Sequence, residues 1–119
     1  MRAEELKGHL DAVVLAALEG GPRHGYAVIE ALRQSTDGRL DLPTGTIYPA
    51  LRRLEQAGLI AGTWSVVGGR RRREYQLTPA GIRALSGRRA AWRDFSATVT
   101  AALESATLED TACPSPNPA

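Results

Sequence analysis

Two groups of side chains in this sequence have types and spacings suited to chemistry, and the chemistry is binding. The first lies in LPTGTIYPALRRLEQAGLI, residues 42–60, where Thr44, Gly45, Thr46, Tyr48, Arg52 and Arg53 alternate with an apolar set. Hydroxyls and guanidinium groups reach base edges and phosphates, and arginine does so with the bidentate fork that guanine and phosphate accept. The second is Arg70–Arg73, four consecutive arginines beside Gly68 and Gly69. Side chains of this kind recognise a polyanion.

Charge is distributed accordingly. The formal net charge is only +2, but residues 1–43 carry five basic and seven acidic side chains. Residues 44–93 carry ten arginines against Glu55 and Glu74, and residues 94–119 carry four acids and no base. A positive block within a nearly neutral chain is the footprint of a phosphate-binding surface. Lys7 is the one lysine in the sequence; every other basic residue is arginine. Bidentate contact chemistry and a GC-rich coding sequence both account for that bias, and composition does not separate them.

Catalysis finds no purchase. His9 and His24 lack metal-ligand spacing, and HExxH, CxxC, GxSxG and P-loop patterns are absent, so the sequence predicts no enzyme, no cofactor and no metal. His24, next to Gly25, reads as a helix cap. The single cysteine, Cys113, leaves no disulfide to hold the fold and fits a reducing cytoplasm. The start, MRAEELKGHL, has acids where a signal peptide needs a basic and then an apolar run. No apolar run approaches the ~18 residues of a membrane span. The predicted location is the cytoplasm, with no membrane partner.

The elements that must position these side chains follow from periodicity. In residues 44–57, Ile47, Leu51 and Leu54 form one apolar stripe of a helix, and Thr46, Tyr48, Arg52, Arg53 and Gln56 point elsewhere. Thr44 serves as N-cap, or Thr46 does, which would put Pro49 at the third helical position. Gly58 closes the helix as C′ glycine. An ordinary surface helix has the same pattern, so the flanks decide. Residues 8–19 place Leu10, Val13, Val14, Ala17 and Leu18 at helical spacing before Gly20-Gly21-Pro22. HGYAVIEALRQS is a second helix with Tyr26, Ile29, Ala31 and Leu32 as its apolar face. Thr36-Asp37-Gly38 is a turn, and Arg39–Leu42 a brief edge strand. Three short helices with tight joins make a helix-turn-helix unit.

Then the period becomes two. Residues 59–66 and 71–77 read as strands joined by Val67-Gly68-Gly69-Arg70, whose glycines supply the positive φ of a tight hairpin. Tyr75 and Leu77 share a face with Arg73, so the second strand passes from a core-facing end to a charged tip. Four arginines in a solvated loop would mean nothing, but inside a hairpin after a helix-turn-helix they read as a wing. Arg70–Arg73 would then take phosphates or the minor groove.

Thr78-Pro79 opens the last helix, predicted to reach Leu108, about 45 Å at 1.5 Å per residue. Leu85, Trp92, Val99 and Ala106 recur every seven residues, flanked by Ile82, Phe95 and Leu103. A small trihelical domain cannot cover so long a stripe, and the same helix of a second subunit is the simplest cover. Gly87 is a point for a break or bend. The sequence therefore divides into a DNA-binding domain over 1–78, a dimerisation helix over 79–108 and a disordered tail over 109–119, in a fold mostly α with a small β-hairpin.

HGYAVIEAL, GTIYPALRRLEQAGLI and GGRRRREYQLTPAG together resemble the PadR family of bacterial transcriptional regulators, over residues 8–84. The single C-terminal helix looks like its short subfamily. That resemblance implies a winged helix-turn-helix, a homodimer built through the C-terminal and first helices, and repression of nearby promoters. Two copies of the 44–57 helix in successive major grooves would then read an inverted-repeat operator in double-stranded DNA. The resemblance also implies, as in some members, an interfacial pocket for planar aromatic effectors lined by a tryptophan, here Trp92. Trp92 filling the helix–helix seam is the alternative. On this reading Thr44, Gly45, Thr46, Tyr48, Arg52, Arg53, Arg70, Arg71 and Arg72 are the DNA-binding residues. Leu85, Trp92, Phe95, Val99 and Leu103 line the effector site or dimer interface. Glu74 beside Tyr75, and Arg71 where proline is frequent, depart from the family pattern. The rival reading, a winged-helix module that binds protein, would want a neutral wing and a recognition helix without arginines.

Overall fold

A computed structural model describes Leu6 and residues 8–112, the side chains of residues 106–112 excepted. The elements run α1 (Leu10–Ala17), β1 (Arg23–His24), α2 (Gly25–Ser35), α3 (Thr44–Gln56), β2 (Ile60–Val67), β3 (Arg70–Leu77) and α4 (Pro79–Ala112). The three strands form one antiparallel sheet in the order β1-β3-β2.

Burial explains the helices. Val14 and Leu15 of α1, Val28 and Leu32 of α2, and Ile47, Ala50, Leu51 and Leu54 of α3 enter a single apolar core. Leu40, Leu42, Ile60, Tyr75 and Leu85 complete it, and no polar or charged residue is buried among those described. Each fully buried large aliphatic side chain stabilises by about 1.5–3 kcal/mol. The first helix buries Leu15 as well as the expected Val14, Ala17 and Leu18. On α2 the expected face is rotated: Val28 is fully buried, whereas Tyr26 is 65% exposed. A tyrosine counts as apolar in a periodicity, but its hydroxyl favours water over an all-apolar core.

The joins are built from side-chain caps and left-handed backbone. His24 caps α2, its Nδ1 accepting from the Ala27 N–H at 3.4 Å. At the other end Asp37 has φ 57°, and the Gly38 N–H donates to the Arg33 carbonyl at 2.8 Å, a Schellman closure. Thr36 Oγ1 donates to the Leu32 carbonyl at 2.6 Å and accepts from the Leu40 N–H at 2.9 Å. That second bond occupies a donor a strand would need, and residues 39–42 are not a strand. Leu40 and Leu42 are nonetheless buried together, as their alternation requires. The third strand is instead β1, two residues long and too short to leave a period in the sequence.

The N-cap of α3 is Pro43, not Thr44 or Thr46. Its carbonyl accepts from the Thr46 and Ile47 N–H groups, and no side chain caps the helix. Pro49 is thus the sixth helical residue and leaves the Gly45 carbonyl without its i+4 donor, which is tolerable because Gly45 is exposed. Gly58, at φ 77°, ends the helix as expected, with the Leu59 N–H donating to the Leu54 carbonyl at 3.0 Å. Thr78 caps α4: its Oγ1 accepts from the Gly81 N–H at 3.1 Å and donates to the Gly58 carbonyl at 2.7 Å.

The chain resolves into two compact units, Met1–Ser86 and Gly87–Ala119. The opening turns of α4 belong to the first, because Leu85 lies in its core. α4 passes through Gly87 as helix and ends at Ala112, four residues beyond the expected Leu108. The rest of the expected tail, with Cys113, lies outside the described residues.

Candidate nucleic-acid interface

α3 presents its expected polar residues unequally. Thr44 and Gly45 are exposed at its start, and Thr46 and Tyr48 are half-buried. No atom lies within 4 Å of where a Gly45 Cβ would stand, so packing does not demand glycine there and the helix start is open to an incoming backbone. The Tyr48 ring seats on α2: a Cβ at Gly25 would stand 2.5 Å from three of its atoms. Tyr26 meets it edge-on with centroids 6.5 Å apart. Burial, then the neighbouring Tyr26 and Tyr75, push the Tyr48 phenol above its usual range, so its hydroxyl is a neutral donor and acceptor at physiological pH. Arg52 and Arg53 are both exposed, but they differ. The Arg53 guanidinium is 2.8 Å from Asp11 of α1, whereas Arg52 projects from the helix.

The wing is a regular ladder in which Trp64 opposes Arg73, Ser65 opposes Arg72, Val66 opposes Arg71 and Val67 opposes Arg70. Gly68 and Gly69 have φ of 59° and 78°, the pair of positive values a two-residue hairpin turn needs. The four arginines divide by exposure, with Arg71 and Arg73 on the face that carries Trp64. Arg70 and Arg71 are exposed at the tip; Arg71 stacks on Trp64 with its guanidinium carbon 4.7 Å from the ring centroid. Arg72 is half-buried, its Nε buried without a hydrogen-bond partner. Arg73 turns inward to Glu55 of α3. On the far side of the sheet His24 pairs in register with Glu74. Burial first, and the charge of Arg72 second, lower the His24 pKa against the opposing pull of Glu74, which keeps Nδ1 free to cap α2.

Four residues of this surface are not marked by sequence pattern. Periodicity assigns Tyr26 to the core. Trp64, 58% exposed on the wing, reads in sequence only as a generic strand former. Asp11 and Glu55 pair with arginines 42 and 18 residues away, and no short-range pattern marks such partners.

In the second unit Trp92, Phe95, Val99 and Leu103 are all exposed, with Trp92 and Phe95 centroids 5.9 Å apart. Leu85, expected among them, is 3% exposed and belongs to the core of the first unit. A heptad pattern reads helical phase, not what covers it. Among the described residues no helix is long and apolar enough to cross a membrane.

Known proteins share this architecture. A sequence profile of the transcriptional regulator PadR-like family matches residues 14–87. A transcriptional regulator of Mycobacterium tuberculosis is 40% identical over 74 residues, 62% of this chain and 56% of that protein. The crystal structure of a PadR family transcriptional regulator from Eggerthella lenta superposes with a TM-score of 0.73 at 35% identity, covering 85% of this chain and 87% of that one. Bacillus subtilis PadR in complex with operator DNA shares the fold, with a TM-score of 0.61 at 24% identity over 66% of this chain and 45% of that one.

Proposed function

The chain belongs to the PadR-like family of transcriptional regulators, which are not enzymes, and from that premise we propose a homodimer that grips duplex DNA at an inverted repeat. Each α3 enters a major groove with Thr44, Gly45, Thr46 and Tyr48 leading and Arg52 alongside. Each wing lays Arg70, Arg71 and Arg72 along the phosphates or the minor groove. The observation that carries this reading is the state of the charges. Of the two acids in residues 44–93, Glu55 is paired with Arg73, while Arg52, Arg70 and Arg71 stand exposed. A protein-binding wing would have no use for so cationic a tip.

Fluorescence anisotropy of labelled DNA from upstream of its own gene, titrated at several salt concentrations, tests it. Replacing Arg70, Arg71 and Arg72 together by alanine is expected to weaken binding to all sequences alike. It should also lower the salt slope by roughly 0.9 for each phosphate no longer neutralised. Unchanged affinity in that variant removes the wing from the interface.

The regulator is a repressor released by a planar aromatic effector. Trp92 and Phe95 support this, because two exposed rings side by side, doubled across a dyad, offer a stacking surface between subunits. A ligand there would change the spacing of the two recognition helices and so their fit to DNA. Tryptophan fluorescence that does not respond to a panel of planar aromatic compounds would leave Trp92 as a seam residue only.

A further inference from the structure

Beyond the register of β1, which reaches only Glu74 of β3, the wing is a two-stranded ribbon. A lone hairpin is marginal in water, and its tip needs a tether to keep one attitude. Arg73 has the contacts of such a tether. Its Nη2 lies 2.5 Å from Glu55 Oε2 on α3, with both side chains only 31% exposed. Its guanidinium crosses β2 at Gly62, where a Cβ would stand 2.6 Å from Nε and 2.9 Å from Cζ. Trp64, its direct cross-strand neighbour, covers it with the ring centroid 5.4 Å from Cζ. The hydrogen bond to Glu55, with a further one to Tyr75, raises the Arg73 pKa further above its already high value.

We propose that Arg73 is a positioning residue and not a DNA contact: held by Glu55, Gly62 and Trp64, it locks the wing to the recognition helix. The distance between the α3 start and Arg70, Arg71 and Arg72 is thereby set before DNA arrives. The lock rests on the DNA-binding function above, but its geometry can be tested without DNA.

The sign of one effect separates positioning from plain electrostatics. Were Arg73 a phosphate contact held back by Glu55, removing that acid would free a cation and tighten binding. A lock requires the opposite. With a duplex from upstream of its own gene, Glu55→Gln is expected to weaken binding by about tenfold with the salt slope unchanged, since the same phosphates stay neutralised. Gly62→Ala alters no charge and touches no proposed DNA contact, yet its Cβ displaces the guanidinium, and it should weaken binding to a similar degree. The swap Glu55→Arg with Arg73→Glu restores the pair and should recover most of the affinity.

The DNA-free readout uses Trp92→Phe, which leaves Trp64 as the sole tryptophan. In that background Glu55→Gln and Gly62→Ala should each raise acrylamide quenching of Trp64. Tighter binding by Glu55→Gln, a salt slope lowered by about 0.9 in Arg73→Gln, or unaltered quenching in both variants overturns the lock. Failure of the wild-type protein to bind DNA would instead overturn the function proposed above, with quenching still deciding the lock.

Discussion

Leu85 and Trp92 are seven residues apart on one helix, in one heptad series, and they have opposite fates. Leu85 is buried in the core of the first unit, and Trp92, in the second, is 51% exposed. The first unit covers its helices with its own residues: α1, α2 and α3 bury a wholly apolar core and take the first turns of α4 into it. The second unit is a helical segment on which Trp92, Phe95, Val99 and Leu103 have no such cover. A folded domain and an exposed apolar strip can share one sequence pattern. What differs is how many other elements the chain supplies to close over it.

The sharpest way to break this contrast is to charge the strip. Phe95→Glu with Leu103→Glu should dissociate the proposed dimer while the first unit keeps its fold. Each side chain is worth about 1.5–3 kcal/mol when buried, and twofold symmetry counts each twice. Even one such pair is about 3–6 kcal/mol, roughly a hundredfold or more in the dissociation constant by sedimentation equilibrium. The converse variant, Leu51→Ala, opens a cavity in the first unit's core and should cost about 2–5 kcal/mol in thermal or urea unfolding. If the charged variant unfolds the first unit as well, or leaves a dimer intact, the two regions are not independent in the way their burial indicates.

Smaller effects sharpen the picture inside the first unit. Arg52→Ala should cost about 1–3 kcal/mol at one base-pair position, measured by binding to a set of single-site operator variants. Arg53→Ala should cost less, because its guanidinium is engaged by Asp11 and an exposed ion pair of this kind is worth at most about 1 kcal/mol. Equal losses from the two would mean that DNA pulls Arg53 off Asp11. The smallest effect is on pH dependence. Burial and Arg72 hold the His24 pKa below 6.5, so over that interval the unfolded chain binds more protons and stability rises with pH. The contribution is complete above 6.5 and lost as pH falls through the lowered folded value. Replacing His24 by Asn, a good N-cap without a titration, should flatten the dependence of melting temperature on pH below 6.5. A wild-type slope retained in that variant would assign the effect to other groups.

The fold is legible in the sequence where one local period governs an element. Ile47, Leu51 and Leu54, the paired glycines of the wing, Gly58 and Thr78 all act as their spacing implies. Less is legible where a tertiary partner decides. β1 exists because β3 passes beside it, and Arg39–Leu42 fails as a strand because Thr36 takes its donor. Pro43 caps α3 by backbone shape, so the threonines that read as caps stand free for other uses. Within the candidate site, residue types are legible and allegiances are not. RRRR reads as four equivalent cations until Glu55 is seen to hold one of them.

The most direct measurement is DNase footprinting of the full-length protein on the intergenic DNA beside its own gene, at low salt. Two protected half-sites related by a dyad, with centres about 34–36 Å apart along the duplex, are expected of a dimer that places paired recognition helices in successive major grooves. No protection, or a single half-site bound by monomer, would contradict it.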